Sequence, residues 1–128
     1  MLKQPTYQSY KEQSVMTMTP VEMLTMLYDG ILKELYIARK NFAQEPLDIA
    51  EINDRLQKIQ GLFRYLKNSL DKNYDIANNL YSLYDYCTWL LTQANMKKEP
   101  AGFDEVEEIV RQLKEAYIQA DKNARMHA

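Results

Sequence analysis

The 128-residue chain has little of what punctuates or cross-links a polypeptide: three glycines, four prolines and one cysteine. Such scarcity, with 46% hydrophobic residues, excludes a disordered or loop-rich chain and predicts one helical domain with a single core. The lone Cys87 excludes an internal disulfide framework and fits a reducing compartment. The single histidine, His127, stands beside the C-terminus. That removes the inward Glu-x-x-His pairs of a di-iron bundle and the mid-helix histidine of a phosphotransfer bundle. Charge of one sign is missing as well. Sixteen basic residues face 18 acidic ones for a net −2, with no basic block, so the footprint of a nucleic-acid binder is absent. No glycine-rich phosphate loop occurs, and no apolar run is long enough to span a bilayer. The opening MLKQPTYQSYKEQ has no apolar signal-peptide region. The expectation is a cytoplasmic protein without a catalytic centre, metal or cofactor, without membrane insertion and without a nucleic-acid partner.

What is present is helical patterning with clear start signals. Thr19 is a candidate N-cap for Glu22, Glu22 completes a capping box, and Pro20 suits the first helical position. The first helix is predicted from Pro20 to Phe42 or Ala43, with its seam at Leu24, Tyr28, Ile31, Leu35, Ala38 and Phe42. Pro46 interrupts, and Asp48 with Glu51 repeats the capping logic. A second helix, Leu47 to Leu70, carries a seam from Ile49 through Ile52, Leu56, Ile59, Phe63, Leu66 and Leu70. Gly61 lies off this seam, either weakening the helix or admitting another backbone. A third helix, Ile76 to Lys97, has its seam at Ile76, Leu80, Leu83, Cys87, Leu90 and Ala94. Pro100 and Gly102 break the chain before a fourth helix, Phe103 to Ala124, with Val106, Val110, Leu113, Tyr117, Ala120 and Ala124 in the same spacing.

Matched helices and short connections predict an all-α, antiparallel up-down-up-down four-helix bundle, and they disfavour a two-stranded coiled coil. The expected division is a short N-terminal arm over residues 1–18, the bundle over 19–124 and a frayed tail over 125–128. Leu24, Ile31, Ile59, Phe63, Leu83, Leu90, Val110 and Leu113 are the expected buried residues, in a monomer or weak homodimer. Cys87, on a seam with no histidine partner, reads as a small core residue.

Seven methionines and ten tyrosines supply adaptable and amphipathic contact groups beyond the seams. Met23 and Leu27 share a flank of the first helix, and Leu62 and Tyr65 a flank of the second. Tyr81, Tyr84, Tyr86 and Trp89 make the third helix apolar over most of its circumference, which implies deep burial or a second face for a partner. Taken singly, each of these residues reads as a widening of the core face. Together they point to a peptide-binding surface. Tyr7 and Tyr10 in the arm, three apart, either pack on the bundle or serve the same surface.

Two runs carry a family likeness. Thr19-Pro-Val-Glu-Met-Leu-Thr-Met-Leu-Tyr-Asp-Gly30 and Asn79-Leu-Tyr-Ser-Leu-Tyr-Asp-Tyr86 resemble motifs of the FliS family of flagellar secretion chaperones. Tyr7-x-x-Tyr10, Ser14-Val15, Leu66 with Ser69-Leu70-Asp71, Leu90, Ala94-Asn95 and Glu105-Val106 fit the same pattern in order. Tyr117 stands where the family commonly has Trp, Cys87 where Met is usual, and the loop near Asn73 lacks the common glycines. The resemblance implies a chaperone that binds the disordered C-terminal segment of flagellin in hydrophobic grooves and keeps it competent for flagellar type III secretion. It implies the flagellar export apparatus as a further partner. Tyr7, Tyr10, Met23, Leu27, Leu62, Tyr65, Tyr81, Tyr84, Tyr86 and Trp89 are then the candidate client contacts. A helical adaptor for another amphipathic-helix partner is the alternative.

Overall fold

Thr19 caps the first helix as its side chain dictates: Thr19 Oγ1 accepts from the Glu22 backbone N–H at 3.1 Å, and Pro20 takes the first turn. The computed structural model describes residues 18–127; Tyr7, Tyr10 and the rest of the arm lie outside the described residues. Four helices follow: α1 Pro20–Ala43, α2 Ile49–Asn68, α3 Ile76–Lys97 and α4 Phe103–Met126. No described residue is in a strand. Asp48 caps α2 by accepting from Glu51 N–H at 3.1 Å, so α2 starts at Ile49 rather than Leu47. It ends at Asn68, two residues before Leu70, where the Ser69 hydroxyl donates to the Leu66 carbonyl at 2.9 Å. α3 has the predicted limits, and α4 continues two residues past Ala124, taking Arg125 and Met126 into the helix.

Side-chain pairs fix the α1–α2, α2–α3 and α1–α4 couples as antiparallel. A Cβ added at Gly30 of α1 would meet Leu62 of α2 at 3.8 Å, while Glu34 further along α1 reaches back to Arg55. Between α2 and α3, Asn53 meets Asn95, Gln60 meets Thr92 and Lys67 meets Asp85. Between α1 and α4, Asp29 pairs with Lys114 and Arg39 with Asp104. The ring is not evenly closed. α1 packs closely on α2 and α4, and α2 on α3, whereas α3 and α4 approach each other least.

Ile31, Ile59, Phe63 and Val110 are buried as expected. Leu24, Leu90 and Leu113 are half-buried on the rim of the core, and Leu83 is half-buried outside that packing. The α3 seam is displaced. Its buried residues are Ala77, Leu80, Tyr84, Cys87, Leu91 and Ala94, so three of six predicted positions move on by one residue. At 100° per residue the helix is rolled about 50° from the predicted phase. Close packing on α2 and loose packing on α4 rolls it that way, taking Tyr84 and Leu91 inward and leaving Ile76 60% exposed. Ile49, predicted on the α2 seam, is also exposed, because the first turn projects beyond the neighbouring helices' cover.

Candidate partner-binding site

The loose α3–α4 pair leaves a cavity of about 250 Å³ at the end of the bundle where α1 begins. Leu24 of α1, Leu66 of α2, Leu80 and Tyr84 of α3 and Tyr117 of α4 line it. Tyr74 and Ile76, 65% and 60% exposed, form an apolar rim. α4 adds to the opening. Ala120 and Ala124 continue the spacing of Val106, Val110, Leu113 and Tyr117, yet both are exposed. The core-facing side of its last turns is therefore uncovered.

The cavity wall is aromatic and hydroxylated. Tyr28 and Tyr84 hydroxyls are 2.6 Å apart, the Tyr117 ring lies 6.3 Å from the Tyr28 ring, and Phe63 packs 6.0 Å from Tyr84. Burial pushes the Tyr84 phenol up to about 12 and raises Tyr28 and Tyr117 too, so the wall stays neutral at physiological pH. Cys87, 0% exposed, has its thiol pushed up to about 12, first by burial and then by Glu105, which keeps it an unreactive core group.

The candidate contacts do not gather in one place. Gly30 and Leu62 face each other, Leu27 and Met23 precede Gly30 on the same face of α1, and Tyr65 follows Leu62. Met23, Leu27, Leu62 and Tyr65 form a strip along the α1–α2 seam, with Tyr65 56% exposed. Tyr81 sits on the α2–α3 side, its ring under the Lys67 ammonium at 4.9 Å. Tyr86 and Trp89 stack on the outer side of α3 at 6.2 Å between centroids, and the Tyr86 hydroxyl donates to Glu105 at 2.7 Å. Tyr84 differs from the rest. It is 1% exposed, turned inward by the α3 roll, and it meets a partner only as a wall of the end cavity.

Sequence reasoning put Tyr81, Tyr86 and Trp89 on a second face of α3, but two features escaped it. Asp85 and Lys97 are the only charged residues of α3, and Met96 joins the exposed aromatics on its outer surface. Charge depletion with aromatics and Met is the composition of an interface centre, and a count of charges per helix gives the signal. The second is a hollow of about 490 Å³ beside the start of α1, floored by Met18, Val21, Met26 and Ile118. Its signal is that α1 carries methionines on both flanks of its seam, Met23 toward α2 and Met26 toward α4.

The described residues thus form an all-helical bundle with an apolar end cavity and exposed aromatic side chains on α2 and α3. The family model described as "Flagellar protein FliS" matches residues 3–124. Similar chains include the flagellar secretion chaperone FliS of Bacillus subtilis, 34% identical over 95% of this chain and 90% of the relative. Those of Salmonella typhimurium and Vibrio cholerae are 34% and 32% identical, each over 88% of this chain and over 84% and 85% of the relative. The chain belongs to the FliS family of flagellar secretion chaperones. Among the described residues, no helix is long and apolar enough to cross a membrane.

Proposed function

We propose that this chain binds the C-terminal segment of flagellin in the cytoplasm, prevents its premature polymerisation and delivers it to the flagellar export apparatus. The open apolar cavity at the bundle end, rimmed by exposed Tyr74 and Ile76, carries this reading. The family resemblance implies a client segment that is disordered as a monomer and forms amphipathic helices in the filament. Bare apolar faces of that kind associate with one another unless a substitute partner covers them, and a groove between helices is such a partner. Ordering a long segment costs about 2–5 kcal/mol of interaction energy. Wrapping offsets that cost, because a client leaving the cavity meets the Met23–Leu27–Leu62–Tyr65 strip on one side and Tyr81, Tyr86 and Trp89 on the other. The chain acts as a monomer or weak homodimer and without a catalytic step.

A pull-down with whole flagellin and with flagellin lacking its C-terminal segment tests the reading. The whole protein is retained and the truncated one is not; equal retention of both contradicts it. Tyr7 and Tyr10 are proposed as further client contacts. Deleting residues 1–18 keeps the bundle folded, because the cap begins at Thr19. Tyr10→Ala weakens client binding by about 1–2 kcal/mol in calorimetry. Tighter binding would instead make the arm a placeholder that competes with the client.

A further inference from the structure

Aromatic side chains stand beside a carboxylate on two sides of α3, and only one of the two sets holds a cation. On the α2 side Lys67 supplies it. Its ammonium lies 4.9 Å from the Tyr81 ring centroid and 2.6 Å from the Asp85 carboxylate, so the ring face and the acid attract it together. On the α4 side Tyr86 and Trp89 stack with 18° between their planes, and the Tyr86 hydroxyl donates to Glu105 at 2.7 Å. Trp89 is 54% exposed, and Glu105 and Glu108, a turn apart on α4, are exposed too. Among the described residues neither Glu105 nor Glu108 forms an ion pair. The cations of the neighbouring helices are committed elsewhere: Arg39 to Asp104 and Glu107, Arg111 to Glu107 and Lys114 to Asp29. α3 itself offers Lys97 alone, two turns past Trp89.

We infer that the client brings the cation: an arginine of its segment stacks on the Tyr86–Trp89 rings and pairs with Glu105. The inference rests on the proposed client reading and adds to it the chemistry of one contact. Arginine suits the place better than lysine. A planar guanidinium turns its face to a ring and its edge to a carboxylate at the same time, which a compact ammonium cannot do. The Tyr86–Glu105 hydrogen bond holds ring and acid side by side before anything binds, so little side-chain freedom is lost on docking. Leu83, one turn before Tyr86 and half-buried outside the core packing, gives the same place an apolar edge where α3 and α4 part. The segment that fits is amphipathic, with its arginine at the border of its apolar face.

Calorimetric titration of a synthetic peptide of the flagellin C-terminal segment into wild type, Glu105→Gln and Trp89→Ala, at low and high salt, tests this. Glutamine keeps an acceptor for the Tyr86 hydroxyl and removes only the charge. Trp89→Ala weakens binding about tenfold. Glu105→Gln weakens it roughly threefold to fivefold at low salt, and the difference from wild type shrinks as salt is added. Peptides with each arginine replaced in turn by glutamine complete the cycle: one of them binds wild type and Glu105→Gln equally. Equal affinity of wild type and Glu105→Gln for the unaltered peptide at low salt overturns the inference and leaves the client reading standing. A difference that no arginine replacement removes overturns it as well. Failure of wild type to bind the peptide overturns the client reading itself. Should Trp89→Ala not fold, the Glu105→Gln cycle decides alone.

Discussion

Phe63 is 0% exposed, with Tyr84 against its ring and the core of all four helices around it. Truncating it removes contacts that its neighbours cannot fully remake, so Phe63→Ala costs about 3–5 kcal/mol in urea melts. Glu34 is a different kind of buried residue, 7% exposed on the α1–α2 seam. Burial alone raises its carboxyl pKa. Hydrogen bonds from Arg55 at 2.6 Å and Lys58 at 3.2 Å outweigh that and hold it below the ordinary 4.5. A carboxyl with a lowered native pKa adds stability above its unfolded value and loses it as pH falls through the native one. The stability difference between wild type and Glu34→Gln therefore shifts against wild type as acid is added below the carboxylate range. Melts at neutral and acid pH measure it; a difference that stays constant contradicts the ion-pair account.

At the scale of the helix, ends were far more legible than rotations. Thr19 with Pro20, and Asp48 before Glu51, announce starts because a short oxygen-bearing side chain satisfies a local N–H whatever the tertiary context. The rotation of α3 was not legible. Its two candidate stripes share Leu80, Cys87 and Ala94 and differ by one residue at the other three positions. Only the unequal packing on α2 and α4 chooses between them, and that is not local information. The glycines show the same contrast. A Cβ at Gly61 meets nothing within 4 Å, so the close-approach reading falls away and the residue merely weakens α2. Gly61→Ala stabilises the protein by about 0.5–1 kcal/mol. Gly102 has φ of 85° and a Cβ there would lie 3.1 Å from Leu90 Cδ2. Gly102→Ala costs about 1–2 kcal/mol from the backbone alone. Denaturant midpoints moving in opposite directions for the two variants check both statements.

At the scale of the whole molecule, the bundle was readable because repeated seams and short connections leave one compact arrangement. The α1–α2 strip was readable too, since Met23 and Leu27, and Leu62 and Tyr65, are helical neighbours. The end cavity was not. Its walls come from every helix and from the connection before α3, and it exists because α3 and α4 part. Its rim is where the central claim is most exposed to test. Ile76 is 60% exposed, so Ile76→Asp places a charge beside the cavity at little cost to the fold. The measurement is calorimetric titration of a flagellin C-terminal peptide into wild type and Ile76→Asp at several temperatures. The predicted result is saturable binding by wild type with a negative heat-capacity change, weakened about tenfold in the variant. No binding by the folded wild type, or equal affinity for both proteins, would contradict the account.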